Sequence, residues 1–89
     1  MNHRVPIEDT LDLHTFLSRD VPSVVQEYVT EAYARGLTEV RFVHGRGIGV
    51  QRRAVRVVLE RHPLVVKFWD SLESRLGATV AQLVVSSGP

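Results

Sequence analysis

The chain contains no cysteine, a single tryptophan and a single methionine, and its 89 residues carry a net charge of only +1. Without thiols there is neither a disulfide staple nor a thiolate metal site, so packing alone must hold the fold, as expected of a cytoplasmic protein. No apolar run approaches the roughly 20 residues that span a bilayer, and Glu8, Asp9 and Asp12 stand where a secretion signal would be basic and then apolar. No membrane partner is expected. Repeats and low-complexity tracts are absent, and the small total charge does not by itself announce a nucleic-acid binder. Any such role must come from how the charge is distributed.

What is present is the composition of a core former, 44% hydrophobic and 24% charged, in a length that suits one small domain. Residues 1–9, with Pro6, show no period and are expected to form an extended arm, while 87–89 should fray. Between them, Thr10–His14 alternates polar and apolar as a half-buried strand does. Asp20 offers an N-cap, and Val21, Val24, Val25, Tyr28, Val29, Ala32 and Tyr33 recur at helical spacing until Gly36. Glu39–His44 is a second strand, and the helix between the two implies a βαβ crossover with parallel strands. A second helix over Val50–Arg61 should bury Val50, Ala54, Val55, Val58 and Leu59, ending at His62-Pro63. Leu64–Trp69 and Ala78–Ser86 complete the order β-α-β-α-β-β, and the short link between the last two strands makes them antiparallel if they are neighbours.

The chemistry gathers at Val43-His44-Gly45-Arg46-Gly47-Ile48-Gly49. A strand ends there, glycines remove side chains from the turn, and a helix starts. Glycine admits φ > 0 and lets a ligand reach the main chain, while the first N–H groups of a helix have no internal partner and carry partial positive charge. An anion is the natural guest. The spacing is neither that of a Walker loop nor of a dinucleotide fingerprint. Arg41, Arg46, Arg52, Arg53, Arg56 and Arg61 fall in one window that only Glu60 opposes, so Gly45, Arg46, Gly47 and Gly49 with Arg52, Arg53 and Arg56 are the candidate phosphate contacts. His14 and His44 both end parallel strands and therefore share a sheet edge; neighbouring strands would set the rings on the order of 5–10 Å apart. His3 and His62 lie outside these motifs and are assigned to the surface.

Leu11-Asp12-Leu13-His14, the turn His44-Gly45-Arg46-Gly47-Ile48-Gly49 and Leu76-Gly77-Ala78-Thr79-Val80 together resemble the Smr (small MutS-related) domain over about residues 10–86. The resemblance implies an α+β two-layer sandwich, similar to the C-terminal domain of translation initiation factor three, with two helices on one face of a mixed four-stranded sheet. It also implies DNA or RNA binding and, in many members, metal-supported endonuclease activity. The sequence departs from the family pattern at Thr15, where LDLHG has glycine, at Gln51, where leucine is usual, and at Ser74-Arg75, where a Gly-Gly pair usually stands.

Under that reading Asp12, His14 and His44 are the candidate catalytic residues. Phosphodiester cleavage needs an in-line nucleophile, a base, and positive charge to meet what accumulates on phosphorus. An imidazole titrating at about 6.5 suits the base, and Asp12 would orient a histidine or a hydrated magnesium or manganese ion held weakly. The competing reading from another class is a non-catalytic nucleic-acid-binding or protein-docking module.

Overall fold

The alternation and helical periods settle into β1 (Thr10–Asp12), α1 (Val21–Ala34), β2 (Glu39–Val43), α2 (Val50–Arg61), β3 (Val65–Asp70) and β4 (Ala78–Leu83). The computed structural model describes residues 9–45, 49–71 and 77–85. The expected arm 1–9, apart from Asp9, lies outside them, as do the fraying end 87–89, His3, Arg46, Gly47, Ile48 and Ser74-Arg75. One sheet runs in the order β1-β2-β4-β3. β1 and β2 are parallel, as a helical crossover requires, and β4 pairs antiparallel with both β2 and β3.

Both helices pack into one core. Val21, Val25, Val29 and Ala32 of α1 and Val55 and Leu59 of α2 join Leu13, Val40, Phe42, Ala81 and Leu83 of the sheet layer. The other sheet face carries a row in register, Thr10, Arg41, Val80 and Trp69, one residue from each strand. α1 stops at Gly36, whose φ of 83° is open to a residue without Cβ, and Leu37 N–H closes the end by donating to the Ala32 carbonyl at 3.0 Å.

Several local expectations are corrected. Asp20 does not cap α1: it has near-helical dihedrals and no side-chain cap bond, because a short 3₁₀ turn, Ser18–Asp20, leads straight into the helix. β1 is shorter than Thr10–His14. Leu13 still donates to the Val43 carbonyl at 2.9 Å, but His14 already lies in a turn. Val50 is 49% exposed instead of buried, since it opens α2 beyond the edge of the sheet. His62 is half-buried, its Nδ1 accepting from Leu64 N–H at 3.1 Å as the chain leaves α2. β3 is displaced one residue to Val65–Asp70, and β4 ends at Leu83.

Candidate functional site

Parallel pairing of β1 with β2, in the register Asp12 to Val43, brings the ends of both strands to one edge. There Asp12 accepts twice from His14 through Oδ1, from the main-chain N–H at 3.0 Å and from ring Nδ1 at 2.6 Å. These bonds, the backbone one first, hold the Asp12 carboxyl below its ordinary range. An ionised carboxylate only accepts, so Nδ1 of His14 carries a hydrogen, and in the neutral ring the lone pair is then on Nε2. The ring is well exposed, with 71% of its side-chain surface open. That leaves Nε2 as an oriented base facing solvent.

The glycine turn begins beside it. Gly45 and Gly49 have φ of 79° and 83°, the left-handed region that favours glycine. Gly49 occupies the N-cap of α2, and no side-chain cap bond forms there among the described residues. The first N–H groups of α2 thus keep free donor capacity at the edge that holds His14. Arg46 and Gly47, expected at the centre of the turn, fall outside the described residues.

His44 behaves differently from His14. Only 8% exposed, it places Nε2 2.9 Å from the hydroxyl of fully buried Thr79 and Nδ1 3.1 Å from the Gly45 carbonyl. The two histidines share an edge, as expected, but one points to solvent and the other into the protein. Thr79 in turn donates to Asp70 Oδ1 at 3.2 Å. Asp70 also receives Arg52 through Nε at 3.2 Å and Arg56 at 3.3 Å, and Arg52, then Thr79, hold its carboxyl below the usual carboxylate range against desolvation. Arg56 lies over the Phe68 ring as well, 5.1 Å from its centroid. Two of the three α2 arginines expected to meet phosphate are therefore tied to a carboxylate from outside their sequence window. Arg53 is exposed and makes no ion pair among the described residues.

The Smr domain family model matches residues 11–84. The chain belongs to the Smr domain family. It is 38% identical over 79 residues to a protein named Endonuclease MutS2 from Caldicellulosiruptor saccharolyticus, and 34% identical over 79 residues to one of the same name from Clostridium tetani. Each match takes in 86% of this chain and only 10% of the relative. The crystal structure of the Smr domain of Thermus thermophilus MutS2 superposes with a TM-score of 0.79 at 32% identity, covering 86% of this chain and 99% of that one.

Within this Smr domain, two departures from the family pattern have a structural account. No non-glycine residue among those described has a positive φ, so the backbone of the turn at Thr15 does not need the conformational freedom of glycine. Gln51, far from being a missing leucine contact, donates its side-chain amide to the carbonyls of Leu13 and Phe16 at 3.1 and 3.4 Å, fastening the His14 turn to α2. Gln51, Asp70 and Thr79 were not singled out from sequence as site residues. Strand alternation held a signal for the last two: Thr79 shares a face with core residues Ala81 and Leu83, and Asp70 shares one with Phe68, so a polar group at either position needs a partner. For metal binding, Asp12 and His14 supply two donors already bonded to each other, and no cluster of three or more His, Asp or Glu forms among the described residues.

Proposed function

We propose that this Smr domain binds DNA or RNA through backbone phosphates and cleaves the phosphodiester, with His14 as general base and Asp12 as its orienting partner. The observation that carries the reading is the 2.6 Å Asp12–His14 contact, which leaves Nε2 exposed at the same edge as the uncapped start of α2. Phosphate would rest against the main-chain N–H groups of the glycine turn and the first turn of α2, within the fields of Arg46 and Arg53. His14 Nε2 would take the proton of the attacking water or hydroxyl as the new P–O bond forms, while the bond from phosphorus to the leaving sugar oxygen breaks and that oxygen takes a proton from solvent water. The MutS2 relatives, of which this chain spans about a tenth, are named endonucleases, which supports the same activity here, and a cytoplasmic location suits it. A magnesium or manganese ion, which keeps most of its own waters, needs no closed protein cage; the Asp12 carboxylate is the group to hold it, and it would supply added charge neutralisation at phosphate.

The test is cleavage of supercoiled plasmid and of a structured RNA, with and without magnesium, by the parent and by His14→Ala. The reading expects parent cleavage, lost in the variant while binding persists. A parent that binds both substrates yet leaves them intact with every divalent ion supports instead a non-catalytic binding module. The inward turn of His44 favours that second reading, because it leaves His14 as the exposed imidazole at this edge where two were expected.

A further inference from the structure

The His44–Thr79–Asp70 chain runs from a buried ring and a buried hydroxyl to a partly exposed carboxylate, and it is unused by the mechanism above. We propose that Asp70 and Thr79 are positioning residues that fix the hydrogen of His44 on Nε2, so that the ring exchanges its proton at Nδ1, at the entrance to the glycine turn. The inference rests on the reading of that turn as a phosphate site.

The direction follows from counting donors. Asp70, flanked by Arg52 and Arg56, is a carboxylate and can only accept. Thr79 has one hydroxyl hydrogen and commits it to Asp70 Oδ1 at 3.2 Å. Its oxygen must then accept from His44, so Nε2, at 2.9 Å, is the N–H. Were Asp70 absent, the opposite arrangement would satisfy everything: Thr79 would donate to Nε2, and Nδ1–H would donate to the Gly45 carbonyl 3.1 Å away. Asp70 therefore selects the tautomer, from β3, for a ring just past the end of β2 that it reaches through Thr79. In the neutral ring the Nδ1 lone pair confronts the Gly45 oxygen, and a proton arriving at Nδ1 turns that contact into a hydrogen bond. The arginine face of α2 is thus linked, through Asp70 and Thr79, to the state of the first turn carbonyl.

Long-range ¹H–¹⁵N correlation spectra of the ¹⁵N-histidine-labelled chain, at about pH 8 where an ordinary imidazole is neutral, read the tautomer directly. The parent should show Nε2 protonated and Nδ1 bare. Asp70→Ala should reverse the populations by roughly tenfold or more, the worth of one hydrogen bond, and Thr79→Val should reverse them too, leaving only the Gly45 acceptor. Thr79→Ser should restore the parent pattern. A parent ring protonated at Nδ1, or an Asp70→Ala ring still protonated at Nε2, overturns the proposal. Filter binding of plasmid and RNA by the same samples separates the two claims: the expected tautomers with no binding would remove the phosphate site and leave the relay, whereas binding with the wrong tautomer would remove the relay alone.

Discussion

The side-chain amide of Gln51 donates to the main-chain carbonyl of Leu13, 38 residues earlier, at 3.1 Å. One bond thereby joins the first turn of α2 to the end of β1, next to the Asp12–His14 pair. Gln51→Ala should cost about 1 kcal/mol, the usual net worth of such a bond, measured as a shift in urea midpoint with unchanged slope. Faster amide exchange should be confined to residues 13–16. Parent-like exchange there would show that the turn holds itself.

Under the proposed function, catalysis depends on the charge of Asp12 as well as its shape. Asp12→Asn keeps the outline and a carbonyl acceptor but removes the negative charge that orients His14 Nδ1–H and would steady the imidazolium formed when Nε2 takes a proton. Cleavage should fall roughly 10²- to 10⁴-fold, the range of a positioned general base, with binding nearly unchanged. Equal losses in cleavage and affinity would mean that Asp12 serves binding instead.

Of Arg52, Arg53 and Arg56, Arg53 makes no ion pair among the described residues while the other two are held by Asp70. Arg53→Ala should weaken binding evenly across sequences and reduce the log–log salt slope by about 1. Asp70→Ala should do the reverse, releasing two guanidinium groups and steepening the slope. Identical slopes for parent and both variants would take α2 out of the interface.

The turn itself is testable at Gly49, where a Cβ would meet nothing within 4 Å although φ is +83°. Gly49→Ala should therefore destabilise through the backbone alone, by about 1 kcal/mol. A parent-like thermal midpoint would show that the turn relaxes without cost.

Asp12 and Asp70 both have carboxyls held below their ordinary range in the folded chain. The native state then binds fewer protons than the unfolded one, so their contribution to stability is present above about pH 4 and is lost as pH falls through the depressed folded values. Urea unfolding at neutral pH and at about pH 3 should show stability falling in acid, less steeply in Asp70→Asn. An equal acid loss in that variant would assign the dependence to other carboxylates.

The span of α2 was legible from Gly49, the apolar period through Leu59 and His62-Pro63, because each signal lies within a few residues of the structure it causes. The same holds for α1, its stop at Gly36, and the parallel placement of β1 and β2. Alternation along β2 and past its end also carries the direction of His44: it follows Val40 and Phe42 on the core face, which is why its ring turns inward while His14 turns out. Which partners complete the site was decided only in three dimensions. Phe42 and Asp70 both stand opposite Thr79 across β4, and α2 lies close enough to β3 for Arg52 and Arg56 to reach Asp70. Sequence sets which way a side chain points by a period of two or 3.6, a local rule. Whether an arginine is free for phosphate or bound to a carboxylate depends on the register between strands and the seat of a helix, which the core packing of distant segments fixes.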